Sequence, residues 1–221
     1  MQFWKDLSGG IGLLGGTFDP IHLAHTRIAK AVRDKYDLSA VSIIPAFLNP
    51  LREHEQILAS TKERLIMAHL ATLEEAWLFV DPIEIDRGQH QPGLSYTIDT
   101  LNSYRMRFPN VPLTLIVGAD NVAFSKWKDI EMYPELLARI VAVARPDYEA
   151  KFKEDLQQVR KLQPAVAGMM EFLADVKSPF SSMAVREALR KGAVPTELLH
   201  PYVAQHITKY GLYGCREGCG A

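Results

Sequence analysis

Gly15-Gly16-Thr17-Phe18-Asp19-Pro20-Ile21-His22-Leu23-Ala24-His25 is the stretch from which the fold is read. An apolar run at residues 11–14 leads into it, and a long helical pattern leaves it. A buried strand, a turn too tight for side chains and a helix opening beside two histidines suit a phosphate site. Paired glycines let the backbone approach a ligand, and unpaired N–H groups at a helix start attract anions. Asp19-Pro20 reads as a cap followed by a first-turn proline, with a start a few residues later as the alternative. His22 and His25 are three apart, so on a helix their imidazoles share one face and grip one polyphosphate.

Composition narrows the classes around that stretch. The chain has 221 residues, 48% of them hydrophobic, which suits one α/β domain over residues 1–221. Formal net charge is −1, from 25 basic and 26 acidic residues, so no global field recruits nucleic acid or membrane. Small-molecule chemistry is the better prior. No apolar run reaches the length of a membrane span. The first ten residues carry acidic Asp6 and no long apolar core, against a signal peptide, and a cytoplasmic protein is expected. Cys215 and Cys219, with no histidine nearby, do not complete a zinc site. Residues from about 214 to 221 read as a flexible, reduced tail.

Working outward, residues 26–36 alternate apolar and basic side chains as an amphipathic helix does. Residues 41–45 form a β-branched run fit for a buried parallel strand, followed by a proline-bounded loop carrying Arg52. Ser60-Thr61-Lys62-Glu63 predicts a capping box and a helix through residue 76, with Leu65, Ile66, His69, Leu70 and Leu73 inward. Residues 78–85 predict a third strand that Pro82 bends or confines to an edge. Thr97 is a good N-cap for a helix ending before Pro109. Residues 113–117 are the cleanest strand, ending at Gly118-Ala119-Asp120, and a short helical piece then presents Trp127. Residues 131–138 predict a turn or two of helix, 140–144 a strand stopping at Arg145-Pro146, 148–162 a polar helix and 170–176 a weak last strand. Ser181-Ser182 opens a helix to residue 191, and residues 195–210 form the last one.

Strands separated by helices predict a doubly wound, Rossmann-like parallel sheet with helices on both faces. Such sheets bind ligands beyond the carboxyl ends of their strands, near the switch in winding. Gly15, Gly16, Thr17, Phe18, Asp19, Gly118, Asp120, Arg52 and Arg145 would meet there.

The opening string resembles the signature of the nucleotidylyltransferase superfamily, which ends in His-x-Gly-His or Thr-x-Gly-His. With its flanks it is similar to the bacterial nicotinate-mononucleotide adenylyltransferases. Ala24 stands at the family glycine, adding a methyl and removing no reacting group. The resemblance implies adenylyl transfer from ATP to nicotinate mononucleotide, giving deamido-NAD and pyrophosphate without a covalent enzyme intermediate. Alignment and preorganised donors carry such chemistry. His22, His25 and Arg186 are then the catalytic residues.

Ser181-Ser182-Met183-Ala184-Val185-Arg186 resembles the family's Ile-Ser-Ser-Thr-x-Ile-Arg motif, with Met183 in place of the threonine. It implies triphosphate contacts from Ser181, Ser182 and Arg186, joining Gly15, Gly16, Thr17, Phe18, Asp19, His22, His25, Gly118, Asp120 and Arg145 as the ATP site. Ser95-Tyr96-Thr97, Gly118-Ala119-Asp120 and Trp127 match further family motifs. They imply that Thr17, Arg52, Tyr96, Thr97, Asp120 and Trp127 bind the pyridine nucleotide, Trp127 by stacking and Thr97 at the carboxylate. Asn49-Pro50-Leu51-Arg52 keeps the cation of the family's Pro-Pro-His-Lys/Arg and loses its histidine to Leu51. The chain closes on Tyr210-Gly211-Leu212-Tyr213, like the family's Gly-Leu-Tyr. Mg²⁺ is implied as a companion of the triphosphate, held through phosphates and water with no protein ligand.

Pantetheine-phosphate adenylyltransferases and cytidylyltransferases share the signature but tend to be shorter, and Ser95-Tyr96-Thr97 with Trp127 argues against them. A nicotinamide-mononucleotide enzyme on the same scaffold stays open, as do monomer and homo-oligomer. A dinucleotide-binding redox domain would want Gly-x-Gly-x-x-Gly and an acid at the end of the second strand, and has neither here.

Overall fold

The computed structural model describes residues 6–50, 57–118, 127–143, 148–174 and 181–215. Six parallel strands run in the order β3-β2-β1-β4-β5-β6, where β1 is Ile11–Gly16, β2 Ala40–Pro45, β3 Leu78–Val80, β4 Leu113–Gly118, β5 Arg139–Val143 and β6 Met170–Leu173. The winding reverses between β1 and β4, which pair in register from Ile11 with Leu113 to Leu14 with Ile116. The two strands end at Gly16 and Gly118, so the crevice of the switch point opens beyond paired glycines and Gly118. β2 is buried along its whole length, as expected of a parallel strand covered on both faces.

Two apolar layers flank the sheet. One joins Val32 of α1 (Leu23–Tyr36), Met67 of α2 (Thr61–Thr72), Val185 of α8 (Ser182–Arg190) and Val203 of α9 (Pro201–Tyr210). The other joins Leu101 and Tyr104 of α4 (Thr97–Arg107), Tyr133 of α5 (Tyr133–Leu136), Phe152 of α6 (Glu149–Leu162) and Val166 of α7 (Pro164–Gly168). The doubly wound expectation holds.

Several local expectations are corrected. α1 begins at Leu23 with His22 as its extended N-cap, so Asp19-Pro20 precedes the helix and the later start is the right one. Its first amide, Leu23 N–H, donates to Leu198 O at 2.8 Å, which takes one of the open donors expected there. α2 has the expected Ser60 cap, accepting from Glu63 N at 3.2 Å, but ends at Thr72 and turns a different face inward. Arg64, Met67, Ala68 and Ala71 are buried, whereas His69 and Leu73 are exposed and Leu65, Ile66 and Leu70 are half-buried. The reason is polar. Arg64 is wholly buried because Nη1 donates to Thr17 O at 2.7 Å and Nη2 to Phe47 O at 3.3 Å, and those bonds set the helix rotation.

The third strand stops at Val80, at the sheet edge, and residues 83–90 form helix α3 (Ile83–His90) rather than more strand. The Asp81 carboxylate accepts from Ile83 N at 3.1 Å and turns the chain there. α3 then packs against the β2 loop so closely that a Cβ at Gly88 would lie 2.1 Å from Phe47 Cγ. Tyr96, not Thr97, is the N-cap of α4, and Thr97 is its first residue. α9 starts at Pro201, with residues 195–200 in turns ahead of it. The tail packs further than expected: a 3-10 turn at Leu212–Gly214 follows α9, and Tyr213 and Cys215 are buried.

Candidate active site

The turn after β1 is held from behind by a buried polar network. Asp19 is 4% exposed, and its carboxylate accepts from Leu58 N at 2.9 Å, Ala59 N at 3.0 Å and the Tyr213 hydroxyl at 2.8 Å. The Arg64 guanidinium gains from the charge of Asp19, while burial pulls its pKa down from the usual arginine range. Phe18 is buried with φ 50°, so the turn shows a ligand the backbone of residues 15–19 and keeps the Phe18 and Asp19 side chains inside. Gly15 is exposed, and a Cβ built on it meets nothing within 4 Å. Bare backbone there faces open space.

The histidines sit where α1 begins. Their rings stack 3.9 Å apart between centroids, and Phe18 meets His25 edge-on at 4.9 Å. The His22 amide donates to His25 Nδ1 at 3.1 Å, so a neutral His25 carries its proton on Nε2. His22 is 5% exposed, and desolvation lowers its pKa to about 4, which makes it a neutral imidazole at physiological pH. Among the described residues its buried Nδ1 has no hydrogen-bond partner. A buried polar atom left unpaired costs about 1–3 kcal/mol, so a ligand that completes it gains that much.

α8 delivers the second set of donors to the same turn. Ser181 caps the helix, its hydroxyl accepting from Ala184 N at 3.2 Å, as the sequence suggests. Ser182 Oγ donates to Pro20 O at 3.0 Å. Arg186 Nη1 donates to Asp19 O at 2.6 Å and lies 3.9 Å from Asp19 Oδ2. One end of that guanidinium is therefore fixed on the β1 turn. Met183 is exposed, away from these contacts, and Ala24 is buried in the first turn of α1.

Beside this cluster the described residues enclose a cavity of about 100 Å³, lined by Gly15, Gly16, Gly118, Tyr96, Thr97 and Trp127 together with residues of β1, β2, β4 and α4. Pockets for whole drug-sized ligands run to about 300–1,000 Å³, so this one has room for a single ring. Trp127 is half-buried, 5.6 Å from the Tyr133 ring. The Thr97 side chain hydrogen-bonds the Tyr133 hydroxyl, and burial pushes that phenol above its usual range. Asn49 Nδ2 reaches Thr17 Oγ1 at 3.4 Å across the mouth.

The fold thus brings together Gly15, Gly16, Thr17, His22, His25, Ser181, Ser182 and Arg186 at one turn, and Gly118, Tyr96, Thr97 and Trp127 at the adjoining cavity. The Asp19 and Phe18 side chains are buried behind the turn, which leaves only the backbone of these two residues on the ligand side. Arg52, Asp120 and Arg145 lie outside the described residues. Sequence reasoning missed four side chains. Glu84 lines the cavity and is buried; Thr100 Oγ1 donates to it at 2.7 Å, Ser95 also bonds it, and desolvation raises its pKa. Lys128 lines the cavity with Nζ 4.8 Å from the Tyr96 ring centroid, and its place next to Trp127 was the available signal. Arg64 and Tyr213 act through the Asp19 network; Arg64 carried no local signal, and Tyr213 only its place in the closing Gly-Leu-Tyr.

The cytidylyltransferase-like family pattern matches residues 13–188. A curated "Probable nicotinate-nucleotide adenylyltransferase" of Aeromonas hydrophila is 35% identical over 212 residues, covering 92% of this chain and 96% of that protein. Its namesake from Thermoanaerobacter is 36% identical over 209 residues, covering 92% and 93%. Among solved structures, the Plasmodium falciparum nicotinic acid mononucleotide adenylyltransferase complexed with NaAD superposes with a TM-score of 0.69 at 18% identity, covering 93% of this chain and 98% of that one. That likeness is one of fold. The signature turn, the α8 motif and the end-to-end likeness to these relatives lead to one conclusion: the chain belongs to the cytidylyltransferase-like family and, within it, to the nicotinate-nucleotide adenylyltransferases.

Proposed function

We propose that this chain transfers the adenylyl group of ATP to nicotinate mononucleotide, releasing pyrophosphate and deamido-NAD, as a step of NAD biosynthesis. One observation carries the reading. Arg186, 167 residues beyond Asp19, is bonded to the β1 turn, so two phosphate-type motifs form one site beside a ring-sized cavity. A phosphate oxygen of the mononucleotide attacks the α-phosphorus, and the new P–O bond forms as the bond to the bridging oxygen breaks. Pyrophosphate leaves with that electron pair. His22, His25, Ser181, Ser182 and Arg186 donate along the triphosphate, and the backbone at Gly15 and Gly16 lets the α-phosphate come close. Trp127 stacks on the pyridine. Arg52, Asp120 and Arg145 take the phosphate, ribose and ATP contacts implied by the resemblance.

The donors at the turn are N–H groups, imidazoles and a guanidinium, which suit phosphate, whereas a hard cation such as Mg²⁺ takes oxygen ligands. Among the described residues no group of three or more His, Cys, Asp or Glu side chains gathers there. Mg²⁺, implied by the resemblance, would arrive on the triphosphate, held by phosphates and water, and neutralise charge there. No helix among the described residues is long and apolar enough to cross a membrane.

The test is pyrophosphate release from ATP with nicotinate mononucleotide and nicotinamide mononucleotide, run side by side. Nicotinate is expected to win by about tenfold in kcat/KM, from a helix start and one cation near its carboxylate. Lys128 supplies the cation, and burial holds Glu84 toward its neutral form, which limits the repulsion. A ratio near one means that the cavity reads only the ring, and a reversed ratio makes the nicotinamide nucleotide the substrate.

Gly15→Ala separates ligand space from fold. The added methyl meets nothing within 4 Å, so stability should change by no more than about 0.5 kcal/mol. KM for ATP should nevertheless rise severalfold, because the methyl enters the approach to the phosphates. An unchanged KM in the variant means the triphosphate lies elsewhere.

A further inference from the structure

We propose that Tyr213 is a positioning residue of the adenylyl-transfer site, a C-terminal latch that acts through Asp19 on the β1 turn and Arg186. The proposal rests on the reading of the triphosphate site given above and assigns a part in it to a residue that touches neither substrate.

The chain leaves α9 through Gly211 at φ 62°, and Tyr213 itself sits at φ 59°. A tyrosine adopts that left-handed region only where its surroundings enforce it. The result is a phenol turned into the protein: Tyr213 is 8% exposed, and its hydroxyl donates to Asp19 Oδ1 at 2.8 Å. Burial first, and the neighbouring Asp19 charge second, push its pKa well above the usual phenol range, so it remains a donor. Asp19 is the shared point of the site. Its carboxylate also takes Leu58 N and Ala59 N, while its carbonyl takes Arg186 Nη1 at 2.6 Å. From the opposite side Arg64 fixes Thr17 O at 2.7 Å. A shift of Asp19 as a whole would carry the carbonyl that holds Arg186, and the Tyr213 hydroxyl on its carboxylate is a side-chain donor that opposes that shift.

The alternative is that Tyr213 only fills space, its ring packing against α8 and α9. A purely packing role predicts lost stability with normal turnover, whereas a latch predicts lost turnover coupled to Arg186. Tyr213→Phe keeps the ring, and Asp19 Oδ1 keeps its bond from Ala59 N, so the variant leaves no buried group orphaned. With the full chain, kcat is expected to fall about tenfold with KM for nicotinate mononucleotide unchanged, the size of a coupling between groups in one network. In an Arg186→Ala background the same change should alter kcat less than twofold. Gly214→Ala, which puts a Cβ at φ 77° in the same turn, should reproduce the kcat effect without removing the hydroxyl.

Calorimetric ATP binding to the parent, the two single variants and the double variant reads the same coupling, about fivefold in Kd, whatever the second substrate is. Normal kcat in Tyr213→Phe, or effects that simply multiply in the double variant, would overturn the latch. A parent that releases no pyrophosphate with nicotinate mononucleotide, yet shows the ATP coupling, would overturn the reaction reading and leave the latch standing.

Discussion

His22→Ala is expected to lower kcat by two to three orders of magnitude while KM for the pyridine nucleotide changes little. His22 is the extended N-cap of α1, stacked on His25, and its buried Nδ1 has no partner among the described residues. A group desolvated to a pKa of about 4 is a neutral imidazole, and a neutral ring at a helix start is a preorganised dipole rather than a counter-ion. Its worth therefore appears where charge moves, on the bridging oxygen as pyrophosphate departs. Loss of one such transition-state donor costs about 2.7–4 kcal/mol, which is the factor expected. Steady-state turnover at saturating ATP and nucleotide measures it. A loss under threefold in a folded variant would remove His22 from the reacting site.

The same substitution has a signature in stability. The folded pKa of about 4 lies below the usual 6.5, so between those values the unfolded chain binds the proton and the folded one does not. Stability contributed by neutral His22 is full above pH 6.5 and lost as pH falls toward 4. A gap of about 2.5 units corresponds to roughly 3 kcal/mol. Urea midpoints taken from pH 7 to pH 4 should fall less steeply for His22→Ala than for the parent.

Arg186→Ala should reduce kcat/KM for ATP by about a hundredfold. The side chain has two tasks at once: Nη1 holds Asp19 O at 2.6 Å, and the remaining donors of the fork face the triphosphate crevice in the proposed complex. A hydrogen bond to a charged group is worth about 1.5–3 kcal/mol, so the fork's ends together account for a loss of that order. Arg186→Lys should recover only part, since a point charge cannot hold the turn and reach a phosphate together. ATP kinetics equal to the parent's would make Arg186 a scaffold residue alone, and the expected coupling to Tyr213 would vanish with it.

How much of this was legible follows from the range of the forces involved. The β1 turn, the helix after it, the Ser181 cap and the parallel alternation rest on neighbouring residues: glycine geometry, apolar period and a side chain bonding an amide three positions on. Those signals are local, so the chain carries them by itself. The family motifs at residues 15–25, 95–97, 118–127 and 181–186 are local too, and they named the two histidines, Arg186, Tyr96, Thr97 and Trp127 before any fold was in view.

What only the tertiary structure decided are the long-range polar bonds. The apolar period of α2 pointed Leu65, Ile66, His69, Leu70 and Leu73 inward, but Arg64 is buried because carbonyls at Thr17 and Phe47 need a donor, and that demand turned the helix. Asp19 read as a cap and as a nucleotide ligand; its carboxylate is the buried acceptor of Leu58, Ala59 and Tyr213, not a helix cap. Residues 83–85 read as the end of a strand, but Asp81 bonds Ile83 N and a helix starts there that carries Glu84 to the cavity. No window of sequence holds both partners of the 194-residue bond between Tyr213 and Asp19. The sequence by itself determined the sheet and the candidate groups of the site, because period, turn and cap act over a few residues. Their orientation was left to buried donors and acceptors that meet only after the sheet has formed, since an unpaired polar group in the interior costs more than a local preference gains.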